Sequence, residues 1–70
     1  KLPQISGRDL IQILRKKGFV VVRQKGSHIR LEKNTEKWTI KVTVPNHPKL
    51  KKDTLHQIIK AAELNEQDLF

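Results

Sequence analysis

Leu10, Ile11, Ile13 and Leu14 fall on one stripe of a helix, with Arg8, Gln12, Arg15 and Lys16 off it. Both ends of this segment are signed. Ser6 followed by Asp9 forms a capping-box-like start, with Asp where Glu or Gln is more usual, and Ile5 and Leu10 occupy the staple positions around it. Gly18 is placed to stop the helix in a left-handed conformation, so that Phe19 folds back on Leu14. Arg15, Lys16 and Lys17 sit at the carbonyl end, where the helix dipole favours cations. The pattern predicts a helix from Ser6 to Lys17.

The next stretch changes period. Phe19 to Lys25 is β-branched and then polar, as in a strand. Gly26-Ser27 is a two-residue hairpin signal of the II′ kind, and His28 to Lys33 continues as a second strand. Asn34-Thr35-Glu36-Lys37 is a polar turn, after which Trp38 to Val44 alternates as a third strand. Pro45 and Pro48 end the sheet because neither can donate to a ladder. Asn46 to Lys52 is a basic loop. Leu55, Ile58, Ile59 and Ala62 have amphipathic-helix spacing, with Asp53 as the expected opening residue. Asn65-Glu66-Gln67-Asp68 forms a second capping start, with Leu64 and Leu69 as its staple. The expected fold is α+β, in the order α-β-β-β-α, with a three-stranded antiparallel sheet and both helices on one of its faces. Residues 1–70 leave room for one domain.

A two-residue turn at Gly26-Ser27 sets Lys25 opposite His28, Arg23 opposite Arg30, Gln24 opposite Ile29 and Val22 opposite Leu31. A four-residue loop at Asn34 to Lys37 pairs Ile29 with Val42 and Leu31 with Ile40. One face then carries Val20, Val22, Ile29, Leu31, Trp38, Ile40, Val42 and Val44. The other carries Arg23, Lys25, His28, Arg30, Lys41 and Thr43. A slip of one residue would turn that cationic row into the core, so the pairing is strongly specified. Trp38 is expected in the core and not as a platform for stacked bases.

Charge sharpens this picture. The chain has 15 Lys and Arg against 7 Asp and Glu, a formal net charge of +8, which points to a polyanionic partner such as nucleic acid. An open sheet face is often just polar and wet, but Arg23 opposite Arg30 beside Lys41 repels itself, with Glu32 the one acid on that face. The absence of cysteine excludes a disulfide framework, a Cys-based zinc site and a thiol nucleophile. No apolar run approaches the ~18 residues of a membrane span, and Lys1-Leu2-Pro3 does not read as a signal peptide.

Among the three histidines, His28 stands out. It follows the tight turn on the cationic face, where a phosphodiester would be held. RNA supplies its own 2′-OH nucleophile, so one general acid or base with cationic stabilisation of the phosphorane is a sufficient catalytic kit. His47 lies in the Pro-bounded loop, and His56 flanks the apolar stripe of the second helix. Their spacing matches no compact metal-ligand pattern, so neither a metal nor another cofactor is expected.

Leu2-Pro3, Ser6-Gly7, Gly18-Phe19, Val21-Val22-Arg23-Gln24-Lys25-Gly26-Ser27-His28, Val44-Pro45-Asn46-His47, Thr54-Leu55 and Ile58-Ile59 together resemble the HicA family, small mRNA-interferase toxins of toxin–antitoxin modules. The resemblance spans essentially the whole chain and is most specific from Arg23 to His28. It implies a fold like the double-stranded-RNA-binding domain, catalysis by His28, action on mRNA in the cytoplasm, and a HicB-type antitoxin that covers the active site. The chain departs from the family's habit at Pro48 and Asp53, where glycine is frequent; both positions touch the loop that carries His47. The reading is a ribosome-independent, metal-independent endoribonuclease in which Arg23, Lys25, Gly26, Ser27, Arg30 and Lys41 bind RNA around His28. The alternatives are a non-catalytic RNA-binding module that reads A-form shape and a protein-interaction domain whose basic face serves an acidic partner.

Overall fold

A computed structural model describes residues 4–69; Leu2-Pro3 of the family resemblance lies outside the described residues. Helix α1 (Gly7–Lys16) leads into strands β1 (Val20–Lys25), β2 (His28–Asn34) and β3 (Thr39–Pro45), followed by helix α2 (Lys52–Ala61) and a 3₁₀ turn at Glu66–Leu69. The strands form one antiparallel sheet in the order β1-β2-β3. This is the expected α-β-β-β-α arrangement.

Helix α1 starts and stops for the reasons its sequence supplies. The Ser6 hydroxyl accepts the Asp9 N–H at 3.0 Å, satisfying one of the orphan donors of the first turn. At the other end Gly18 takes φ +101, and the Phe19 N–H reaches back to the Leu14 carbonyl at 3.0 Å, the six-to-one bond of a Schellman ending. Leu10, Ile11 and Leu14 are thereby turned inward, with Phe19 beside them. Helix α2 adds Leu55, Ile58, Ile59 and Ala62 to the same cluster, and β2 and β3 supply Ile29, Leu31, Ile40, Val42 and Val44. Both helices therefore cover one face of the sheet. Asp53 does not open α2: the helix begins at Lys52 with Lys51 as a cap that makes no side-chain bond. Asp53 sits instead in the first turn, where the dipole favours an acid.

The register corrects the sequence reading in two places, keeping the faces expected of β2 and β3 but not those of Val20 and Val22 in β1. In the first hairpin Lys25–His28, Gln24–Ile29 and Arg23–Arg30 pair as expected, but Val21, not Val22, lies opposite Leu31. The register shifts between Val21 and Arg23, so Val22 is the extra residue of a bulge. Val20 is thereby moved opposite Glu32, on the outer face. In the second hairpin Ile29 pairs with Val44 and Leu31 with Val42, not with Val42 and Ile40. The four-residue loop has moved one position along the chain, to Thr35–Trp38. The Thr35 hydroxyl fixes it there, donating to the Trp38 carbonyl and accepting from the N–H groups of Lys37 and Trp38. Asn34 is thus left in the ladder opposite Thr39, whose hydroxyl bonds its side chain at 2.9 Å. Moving a loop of constant length by one position shifts each pair by two residues, so side-chain parity survives.

Val20, Val22 and Trp38, expected in the core, are 62%, 50% and 54% exposed. The helices lie mainly over β3, and although α1 reaches β1, every residue of β1 stays exposed. Trp38 belongs to the loop and not to β3, and its indole N–H reaches the Glu63 carboxylate at 3.0 Å. The terminal turn is boxed as its sequence implies: Asp68 accepts the Asn65 N–H and Asn65 accepts the Gln67 N–H.

Two outcomes check this packing. Leu31→Ala empties a fully buried site and should cost about 2–5 kcal/mol, a large part of the ~0.05–0.15 kcal/mol per residue that a domain holds in total. Val22→Thr should stay within ~0.5 kcal/mol; urea denaturation of both variants makes the comparison. The second outcome concerns acid. The Asn65 N–H and the Lys17 ammonium, 3.0 Å away, hold the Asp68 carboxyl below its ordinary value. A depressed carboxylate stabilises the fold fully above its unfolded pKa, about 3.9, and loses that contribution as pH falls through the lower folded value. Acidification should therefore release the Glu66–Leu69 turn in the wild type, and Asp68→Asn should remove that pH dependence from the Leu69 amide shifts.

Candidate phosphate-binding face

The turn at Gly26-Ser27 builds one end of the site. Gly26 has φ +59 and Ser27 has no positive φ, the signature of a II′ rather than a I′ turn. The Gln24 side-chain amide donates to the Gly26 carbonyl at 3.3 Å. Ser27 is pinned from the other side, its carbonyl accepting the Asn46 N–H at 2.6 Å. Gly26 and Ser27 therefore shape the turn that sets Lys25 directly across from His28.

From there the pleat does the placing. Ile29 and Leu31 are buried, so His28 and Arg30 must project from the opposite side of β2. Arg23 lies opposite Arg30 on one flank, and Thr43 lies opposite Arg30 on the other. Arg23, Lys25, His28, Arg30 and Thr43 line one shallow depression of about 250 Å³. Among the described residues, no hydrogen bond or ion pair ties down the side chains of Arg23, Lys25, His28 or Arg30. Three cations and an imidazole thus surround a solvent-open hollow with no carboxylate in its lining. Such a hollow favours an anion with several acceptor oxygens.

Lys41 lies outside the hollow. It shares the outer face but stands across from Glu32, roughly 7 Å along the strand from Thr43. The shifted second hairpin, which sequence reasoning set differently, brings Thr43 to Arg30 and gives Lys41 its acidic neighbour. Thr43 was legible as an outer-face residue; the shift moves it from across His28 to across Arg30.

The loop after β3 runs next to the turn. Pro45 is across from His28, and the following residues carry His47, which lines a second depression of about 220 Å³ with Lys49, Lys51 and Thr54. His56 is exposed on α2. Among the described residues, no group of three or more His, Cys, Asp or Glu is placed to hold a metal ion. Gly7 anchors this loop, and sequence reasoning missed that role. Its N–H donates to the His47 carbonyl at 2.9 Å, and the neighbouring Leu50 N–H reaches the Ile5 carbonyl at 2.9 Å. A Cβ at Gly7 would collide with the Pro45 carbonyl oxygen and lie 2.9 Å from the Asn46 Cα. The available signal was a glycine just inside a helix, where its backbone freedom has no local use.

A family model described as the HicA toxin of bacterial toxin–antitoxin systems matches residues 7–64. No curated protein and no solved structure matches the chain significantly.

Gly7→Ala tests the anchor. The added methyl should push Pro45–His47 away from α1, cost about 1–3 kcal/mol, and move the amide resonances of His28 and Ser27 along with those of the loop. Shifts confined to α1 would show that the loop is held independently.

Proposed function

Because the chain belongs to the HicA toxin family, the toxin side of bacterial toxin–antitoxin modules, we propose that it is an endoribonuclease that cleaves mRNA on the outer face of its sheet. The observation that carries this reading is the hollow in which Arg23, Lys25, Arg30 and Thr43 surround the exposed His28. The cations seat a backbone phosphate and stabilise the charge that builds on its non-bridging oxygens as a fifth bond forms. His28 takes the proton from the neighbouring 2′-hydroxyl, whose oxygen attacks phosphorus in line with the departing 5′-oxygen. The P–O5′ bond breaks and the leaving oxygen takes a proton from water or from protonated His28. A cyclic phosphate remains on one fragment and a free 5′-hydroxyl on the other. No step requires a metal or an organic cofactor.

Gly26 and Ser27 serve this site by fixing the His28–Lys25 pair. Lys41, beside Glu32, extends the basic face along the RNA and does not touch the reacting phosphate. In this reading the protein works in the cytoplasm on mRNA free of the ribosome, and a HicB-type antitoxin silences it by covering the same face.

The test is His28→Ala. Its side chain is exposed and fills no cavity, so stability should change by no more than ~0.5 kcal/mol. RNA affinity should persist, with the salt dependence of counterion release, because the cations remain. Cleavage of a labelled RNA should fall by at least ~10²–10⁴-fold, and wild-type cleavage should continue in the presence of a chelator. Lys25→Ala should instead weaken binding and rate together. Undiminished cleavage by folded His28→Ala would remove His28 from the chemistry, and RNA binding without cleavage by the wild type would favour the non-catalytic module.

A further inference from the structure

Strand β1 is exposed along its whole length, and Val20, Val21 and Val22 are all substantially open to solvent. It is an end strand whose partner is β2 alone. In an antiparallel ladder alternate N–H and C=O groups of such a strand point away from its neighbour. The free side of β1 is therefore a row of backbone donors and acceptors with no partner among the described residues. Strand β3, the other end of the sheet, differs: its inward residues Ile40, Val42 and Val44 are buried under the helices. Among the described residues, only β1 offers both an open edge and open apolar side chains.

We propose that β1 is a strand-addition site: an extended segment of a protein partner, with Asp or Glu at alternate positions, pairs with Val20–Lys25 and extends the sheet. The proposal rests on reading this chain as a toxin held by a protein partner, and it specifies how the partner grips it. The charge pattern selects the occupant. Arg23 and Lys25 share the outer face, whereas Val21 and Gln24 share the inner one. An added strand follows the same alternation, so every second side chain lands beside Arg23 and Lys25, where an acid is attracted and a base repelled. Its remaining side chains cover Val21 and the bulged Val22. A second copy of this chain fits poorly, because both copies' Arg23 and Lys25 would crowd one shared face. RNA can meet the two cations but cannot continue a backbone ladder or cover the valines. Cations and a bulge commonly protect edges from indiscriminate pairing; here the cations leave the edge open to an acidic strand. Since Arg23 and Lys25 also line the His28 hollow, the segment that completes the sheet withdraws two phosphate ligands from it.

A capped eight-residue peptide alternating Glu and Val, titrated into the ¹⁵N-labelled full chain, tests this directly. The expected result is saturable shifts and slowed hydrogen exchange at the Val20–Lys25 amides, together with displacement of bound RNA. The same peptide with Lys in place of Glu should not bind. N-methylation of the alternate peptide nitrogens that meet the edge should weaken binding at least about tenfold, because those ladder bonds are lost while every charge remains. Equal binding by the N-methylated peptide, or shifts at Arg23 and Lys25 without protection of the β1 amides, would overturn strand addition in favour of simple charge attraction. Pairing of β1 between two copies of the chain would overturn the choice of occupant. These amide readouts do not involve cleavage, so the edge can fail while the ribonuclease reading stands, and the reverse.

Discussion

The burial of Leu31 governs the rest of the molecule. Its side chain is sealed beneath the helices, and successive side chains along a strand alternate between faces. That single placement sends Arg30 and Glu32 outward, and His28 with them. The antiparallel ladder then carries the same sidedness to Arg23 and Lys25 on one neighbour and to Lys41 and Thr43 on the other. A basic face therefore needs no dedicated scaffold. It is the reverse side of the hydrophobic core, and wherever the ladder runs without a bulge, holding Leu31 inside holds the cations outside.

Charge is distributed unevenly over that face. Toward the Asn34 end, Glu32 stands across from Lys41 and eases the repulsion. Toward the turn, Arg23, Lys25 and Arg30 gather around His28 with no acid in the lining. Like charges held this close destabilise the free protein, and an anion or an acidic partner relieves them. One physical feature thus serves both sides of the proposed function: the unrelieved cations favour a polyanion such as RNA, and the same cations would be what an acidic antitoxin neutralises. The exposed edge of β1 is where the proposed partner strand would attach, beside the hollow.

Much of this was legible in the sequence, and the exceptions have physical causes. Helix α1 was readable because Ser6 and Gly18 mark its ends chemically as well as by pattern. The turn at Gly26-Ser27 was readable because Gly26 supplies a positive φ at the position the turn demands, and from it followed three of the cross-strand pairs around His28. Parity allowed the faces of β2 and β3 to be assigned correctly even though the second hairpin sits two residues away from its expected register. What failed was whatever depended on tertiary coverage. Val20 and Val22 look like core residues by type, yet a bulge turns Val20 to the outer face and the strand stays exposed along its length. Trp38 looks like core by hydrophobicity, but Thr35 captures it in a loop and Glu63 holds its indole at the surface. The lock between Gly7 and the Pro45–His47 backbone is a contact between distant parts of the chain that no local pattern encodes.

The central claim is that RNA lies on the outer face of the sheet, with a phosphate beside His28. Chemical-shift mapping with a 2′-O-methyl RNA, which lacks the nucleophile and cannot be cleaved, tests it most directly. The account predicts that the largest changes, including the His28 ring resonances and the side-chain signals of Arg23, Lys25 and Arg30, cluster on that face, with Thr43 affected more than Lys41 and the exposed surface of α1 left unchanged. Changes concentrated on the helices, with His28 undisturbed at saturation, would contradict it.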